Sequence, residues 1–371
     1  MNLNFGLYWD AYGLDAPNSG IFVHAHSIAK ELDSLGYAPR LVGLKSALCS
    51  FPRLQGLHPL AHPLTKWWTR NKFLWPESVA RRIESDSAGS YANVVLHGLS
   101  NFNIPIRPRN GWRLVLTVHD LIPIIAPHDV STSLNLQMKF LLPRAMRAAD
   151  CIVCVSRWTK ETIIDFMPTL ESKLVVIPNG VASFSPSVKT HSESGNRIRL
   201  LFVSRFERYK CHETLVTLLK SSNLALELDV ITDLKGQRFW QSRAIDMIQN
   251  GRLRVHCGVY GDELRRFYEN ADVYVSPSRL EGYCLPAIEA LSAATPVVYV
   301  GGSGIDEVAG SSVSYRVQNP LKIADWEDAI CLAKSDSERS DYSIRVNEYL
   351  KTLPSWKDAA VELLTLYNKL V

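Results

Sequence analysis

Short apolar runs, many of them β-branched, alternate along the chain with stretches whose apolar positions recur every three to four residues. Residues 3–9 read as a strand, and 21–35 as a helix with Ile28, Leu32 and Leu35 on one face. Further buried strands are predicted at 92–96, 113–118 and 151–155. Ser156 then stands as an N-cap opening a helix through Phe166. Residues 173–177 form another strand, stopped by Pro178-Asn179-Gly180. From 182 to 197 the texture changes to Ser/Thr with Pro186 and Gly195 and almost no apolar residue, which marks a linker. The alternation then restarts. Strands are predicted at 199–204, 226–231, 253–256, 273–276 and 297–300. Helices are predicted at 213–220, 239–249, 263–269, 286–292, 324–334, 340–350 and 356–370.

Strand–helix alternation of this kind predicts an α/β fold with two doubly wound, Rossmann-like halves. Residues 1–182 form the first half, 198–353 the second, and 354–371 a closing helix. Ligands of such folds bind beyond the carboxyl ends of the strands, so the expected site is a cleft between the halves.

Composition narrows the functional classes. The 371 residues carry 41 Lys+Arg against 37 Asp+Glu, a net charge of +4 that is too small to argue for nucleic-acid binding. No apolar run reaches the ~18 residues of a membrane-spanning helix, and Met1 to Asp10 lack the features of a secretory signal. Seven scattered cysteines, an odd number, fit a reducing, cytoplasmic setting. Cys151 and Cys154 face opposite sides of one strand and have no second pair, so no metal site is expected there. Gly301-Gly302-Ser303-Gly304 lacks the spacing of a dinucleotide fingerprint, which speaks against an NAD-dependent oxidoreductase.

The densest candidate chemistry is Ser276-Pro-Ser-Arg-Leu-Glu281-Gly282-Tyr283-Cys284-Leu285-Pro-Ala-Ile-Glu289, a strand end running into a helix. Among 371 residues about one Glu–Glu pair at this spacing is expected by chance, so the strand–turn–helix context carries the argument. Backbone N–H groups from Gly282 to Leu285 would face an anion at the helix start, beside a carboxylate able to grip hydroxyls. A nucleotide-sugar meets both demands. Arg205, at the end of a strand, and Lys210, opening the next helix, would neutralise a diphosphate and stabilise it as a leaving group. Both also fit ordinary solvated charges.

In the first half, Gly20 would let a phosphate approach a helix start, although a plain helix start would look the same. His119, at a strand's carboxyl end, is placed for hydrogen bonding to a ligand. His97 is a weaker candidate of the same kind. Asp120 has three open roles: orienting His119, capping the next turn, or binding acceptor. Residues 51–82 hold Arg53, Lys66, Arg70, Lys72, Arg81 and Arg82 against Glu77, with Trp67, Trp68, Phe73, Leu74 and Trp75 interleaved. That mixture reads equally as an anionic-membrane contact and as core aromatics beside solvated charges.

Taken together, these residues resemble the retaining family-4 glycosyltransferases of GT-B fold, over essentially the whole chain. The most specific match is Glu281 to Glu289 with Thr295-Pro-Val-Val298 after it; Thr117-Val-His119-Asp120, Val176-Ile-Pro-Asn179-Gly180 and Ser355-Trp356 fit as well. The resemblance implies that Glu281 contacts the donor sugar and Glu289 the nucleotide ribose. It implies that Arg205 and Lys210 hold the diphosphate, and that His119 sits by donor sugar and acceptor. The closing helix would cross back to the first domain. No cofactor or metal is implied. Similarity to bacterial polysaccharide mannosyltransferases around 119–156 implies GDP-mannose as donor and a glycan or lipid-linked glycan as acceptor. A UDP-hexose donor and a non-catalytic nucleotide-sugar binder are the alternatives. The chain departs from the family at Asn18-Ser19-Gly20, Tyr283, Cys284 and Ala294, where glycine or phenylalanine is common.

Overall fold

The computed structural model describes residues 4–12, 14, 19–43, 45–54, 56–57, 74–86, 92–107, 109–181 and 197–371. The chain divides into two compact units, one of Met1–Gly180 with Pro354–Val371 and one of Val181–Leu353.

The first unit holds a seven-stranded parallel sheet. Its strands are β1 (Gly6–Asp10), β2 (Arg40–Val42), β3 (Gly56–Leu57), β4 (Val94–Gly98), β5 (Trp112–Val118), β6 (Cys151–Cys154) and β7 (Leu174–Val176). They lie in the order β3-β2-β1-β4-β5-β6-β7, so the winding reverses between β1 and β4. The second unit holds a six-stranded parallel sheet of β8 (Ile198–Val203), β9 (Leu226–Thr232), β10 (Leu253–Cys257), β11 (Val273–Ser276), β12 (Val297–Tyr299) and β13 (Ser314–Arg316). Its order, β10-β9-β8-β11-β12-β13, reverses between β8 and β11. A parallel sheet needs helices on both faces, which is why the central strands are apolar on both sides. Every residue of β1, β4, β6 and β11 is buried.

Each unit has its own core. Tyr8, Trp75, Val79, Leu96, Leu116, Leu142 and Ile152 pack together in the first. Phe202, Leu215, Val230, Trp240, Val275, Val298 and Trp326 do so in the second. Of the basic–aromatic stretch 51–82, residues 58–73 with Trp67 and Trp68 lie outside the described residues; Phe51 and Trp75 belong to the core.

The closing helix Trp356–Leu370 starts on a reciprocal cap. Asp358 N donates to Ser355 Oγ at 3.1 Å, and Ser355 N donates to an Asp358 carboxylate oxygen at 2.8 Å. Gly180 makes its approach feasible, since a Cβ there would lie 2.1 Å from the Trp356 nitrogen. Sequence reasoning treats Pro178-Asn179-Gly180 as a strand stop; the glycine is also where two chain segments cross.

The predicted helix 239–249 is two helices, Leu234–Arg243 and Ile245–Gln249, broken at Ala244. Lys210 does not open a helix. It closes the 3₁₀ turn Arg208–Lys210, and the helix His212–Ser221 follows Cys211, whose φ is +52°.

The helix Leu285–Ser292 ends with Ala294 in the left-handed region, φ +53°. Ala294 N donates to Leu291 O at 2.8 Å and Thr295 N to Ala290 O at 2.9 Å, the paired bonds of a left-handed helix stop. A Cβ in this conformation costs about 1–2 kcal/mol. Ala294→Gly is therefore expected to raise stability by about 1 kcal/mol, a few degrees in the melting of the second unit. Thermal unfolding followed by circular dichroism checks it.

Candidate active site

The reversal points of the two sheets are where loops diverge and leave room for a ligand. In the second unit these are the carboxyl ends of β8 and β11, and the charged candidates sit there. Arg205 lies two residues beyond β8 with its side chain exposed. His212 fixes that backbone from beneath. Its Nε2–H donates to the Arg205 carbonyl at 3.3 Å, and its ring packs among Phe202, Phe206, Phe239 and Trp240. Burial holds the His212 pKa down, to about 4, so it is a neutral support.

Lys210 and Glu281 form the electrostatic centre. The ammonium donates to both carboxylate oxygens, at 2.6 and 2.7 Å, and lies 5.3 Å from the Tyr209 ring. The side chains are only 19% and 9% exposed. Burial works against the Lys210 charge, but Glu281 outweighs it and holds the lysine above its ordinary range. In this structure Lys210 is therefore engaged with a carboxylate rather than standing free.

The Glu281 turn is stapled to the loop after β12. Glu281 N donates to Ser303 Oγ at 3.0 Å, and Gly304 N donates to Glu281 O at 2.9 Å. A Cβ on Gly304 would lie 2.2 Å from the Gly282 carbonyl oxygen. The Gly301–Gly304 run thus supports the site through backbone approach rather than as a dinucleotide loop. Tyr283, Cys284 and Leu285 are buried. Pro286 has no N–H, which leaves Gly282 to Leu285 as the donors of the helix start. Cys284 is left-handed, with φ +73°. Glu289, on the helix, is partly exposed and accepts from the Tyr268 hydroxyl at 2.7 Å. Burial pushes its carboxyl up, against the effect of that bond.

In the first unit, Asp10 ends β1 and is fully buried. It accepts from Trp75 Nε1, at 2.8 and 2.9 Å to its two oxygens, and from Tyr12 N at 2.8 Å. Burial outweighs these bonds and pushes its pKa up to about 7. His119 lies just past β5 and is partly exposed. Its Nε2–H donates to Leu99 O at 2.9 Å, which leaves Nδ1 as a hydrogen-bond acceptor. Burial lowers its pKa to about 4, so it is neutral at physiological pH.

His97 corrects an expectation. It is wholly buried on β4, with Nδ1 2.6 Å from the Tyr367 hydroxyl and Nε2 2.8 Å from Thr117 Oγ1. Trp9 Nε1 donates to the same tyrosine oxygen at 3.2 Å. Both ring nitrogens are spent, Nδ1 on the closing helix through Tyr367 and Nε2 on β5 through Thr117, and none is left for an acceptor. Asp120 caps the next turn, accepting from Ile122 N at 3.0 Å. Gly20 is the exposed first residue of the helix Gly20–Ser34, capped by Ser19, which accepts from Phe22 N.

Sequence reasoning passed over His24. Its Nδ1–H donates to Asn179 Oδ1 at 2.6 Å, and its ring stands edge-on to His119 with centroids 5.1 Å apart. The signal was present in the inner-face spacing His24, Ile28, Leu32. His212 and Tyr268, each supporting a charged group of the second unit, were also passed over.

Comparison with known proteins bears on the family and the fold. A model described as Glycosyltransferase Family 4 matches residues 18–183, and one described as Glycosyl transferases group 1 matches 186–348. The O-antigen chain mannosyltransferase RfbU of Salmonella typhimurium is 23% identical over 326 residues, 87% of this chain and 83% of that protein. The uncharacterized glycosyltransferase MJ1607 of Methanocaldococcus jannaschii is 26% identical over 58% of this chain and 59% of that protein. A D-inositol 3-phosphate glycosyltransferase of Pseudarthrobacter chlorophenolicus is 28% identical over 42% and 41%. Against the last two, the match spans about half the relative's length. Among solved structures, sucrose-phosphate synthase from Thermosynechococcus elongatus superposes with a TM-score of 0.76 at 18% identity, over 99% of each chain. Anabaena Alr3699/HepE in complex with UDP-glucose superposes at 0.70 and 15%, over 98% and 99%.

Proposed function

We propose that this chain, which belongs to the family-4 glycosyltransferases of GT-B fold, moves mannose from GDP-mannose to a glycan or lipid-linked glycan with retention of anomeric configuration. Glycosyl transfer is the activity that the names of these relatives share; donor, acceptor and stereochemistry are the proposal. The observation that carries it is the Lys210–Glu281 pair at the reversal point of the second sheet, with exposed Arg205 two residues beyond β8.

The acceptor hydroxyl attacks the anomeric carbon from the face the nucleotide leaves, and the departing β-phosphate takes the hydroxyl proton. Arg205 and Lys210 neutralise the charge that gathers on that phosphate. These cations supply the role a metal plays in other transferases, so transfer is proposed to be metal-independent. Lys210 exchanges Glu281 for the phosphate, which frees the carboxylate for the donor-sugar hydroxyls. Glu289 takes the ribose, and neutral His119 offers Nδ1 as an acceptor to the sugar. Mannose is favoured because relatives matching 60% and 87% of this chain are O-antigen chain mannosyltransferases. A UDP-hexose is the second reading, supported by the UDP-glucose complex of the HepE fold relative.

The test incubates the full chain with GDP-mannose, UDP-glucose or UDP-galactose and a panel of glycan acceptors, with and without EDTA, and reads the product linkage by NMR. Transfer from GDP-mannose with an α-linked product, unaffected by EDTA, is the expected result. Transfer from a UDP-hexose replaces the donor assignment. Nucleotide binding without any transfer sinks the enzymatic reading.

A further inference from the structure

The helix Thr132–Ala148 buries Asn135, Met138, Leu142, Ala145 and Met146 against the first unit. Its opposite face carries two large apolar side chains one turn apart, Leu136 at 49% and Phe140 at 53% exposure. Lys139, Arg144 and Arg147 are exposed on the same face, and the Arg144 guanidinium lies 5.9 Å from the Phe140 ring centre. The helix contains no acidic residue; Asp129 and Asp150, the nearest along the chain, lie beyond its two ends. Ile125, on the short helix Ile122–Ile125 that packs against this one, is 43% exposed as well.

We propose that this face docks on an anionic lipid surface. Leu136 and Phe140 enter the boundary between headgroups and acyl chains, and Lys139, Arg144 and Arg147 meet the lipid phosphates. A surface helix of this type needs Leu or Phe on one side and cations beside them, without acids to repel the membrane. Charge complementarity argues against a second copy of the chain as the occupant. A two-fold contact would press three cations against the same three. The surface is separate in sequence from residues 51–82 and independent of donor identity.

The test floats the full chain with vesicles of phosphatidylcholine alone and of an equal mixture of phosphatidylcholine and phosphatidylglycerol. Binding to the mixed vesicles, weakened by salt, is expected. Lys139→Glu with Arg144→Glu should weaken it by about tenfold or more, and Leu136→Glu with Phe140→Glu should abolish it. These side chains are exposed, so melting temperature and GDP binding should stay unchanged, and the result is separable from the donor-site reading. Failure to bind the mixed vesicles at low salt, or binding untouched by both double variants, overturns the proposal. So does a change of oligomeric state in the Leu136/Phe140 variant, which would make the face a protein interface.

Discussion

Lys210→Ala lowers transfer by about 10²–10³ and also destabilises the second unit by about 3 kcal/mol. The two losses have different origins. The catalytic loss follows from the proposed role of Lys210, a cation that stabilises the leaving phosphate. The stability loss comes from Glu281, which is 9% exposed and held by two bonds from Lys210. Without the lysine its charge is buried and uncompensated, and that penalty exceeds the worth of the pair itself. Arg205→Ala is the control. Arg205 is exposed, so its removal costs a similar factor in rate while leaving the melting temperature within about 1 °C. Turnover numbers and thermal melts of the two variants check the contrast. Equal stability of both would show that the Lys210–Glu281 pair is not the buried element described.

Asp10→Asn has the second large effect, on the first unit and with a pH signature. The Asp10 carboxyl has a pKa of about 7 in the folded chain against 3.8 for an ordinary aspartate. The folded state therefore binds more protons than the unfolded state between these values. Its stability contribution is complete below about pH 4 and is lost as pH rises to about 7. The span corresponds to about 4 kcal/mol at ~1.4 kcal/mol per pH unit. An asparagine keeps an oxygen for Trp75 and Tyr12 but buries an NH₂ group, which costs about 1–3 kcal/mol if unpaired. The variant should gain about 2 kcal/mol at pH 8, roughly 4–8 °C. His24 and His119, lowered to about 3 and about 4, act in the opposite direction, favouring folding as pH rises toward their unfolded range. The difference between wild-type and Asp10→Asn melts across pH 4–8 removes their share. A flat difference would place the Asp10 pKa near its ordinary value.

Most of the fold was legible because a parallel sheet writes itself as short apolar runs. The strand 273–276 and the helix 356–370 coincide with the structure residue for residue, and Ser156 caps its helix as the sequence indicates. The helix Thr132–Ala148 was not legible, since Pro143 interrupts the pattern that would otherwise join Met138, Leu142 and Met146. Strands β2, β3 and β13 have two or three residues each and carry no period. Of the site, the chemical types were legible and the pairings were not. The sequence places Lys210 and Glu281 each near a strand end, but their mutual bond joins residues 71 positions apart. His97 illustrates the converse. A histidine at a strand end suggests ligand contact, whereas Tyr367, 270 positions away, satisfies it.

Titration of the full chain with GDP, UDP and NADH, beside the same titrations of Arg205→Ala, tests the central claim most directly. One nucleoside diphosphate should stabilise the wild-type chain by about 2.7 kcal/mol at a hundredfold its Kd, and the shift should vanish in Arg205→Ala. A shift with NADH alone, or a diphosphate shift that survives in Arg205→Ala, would contradict a donor site built on Arg205, Lys210 and Glu281.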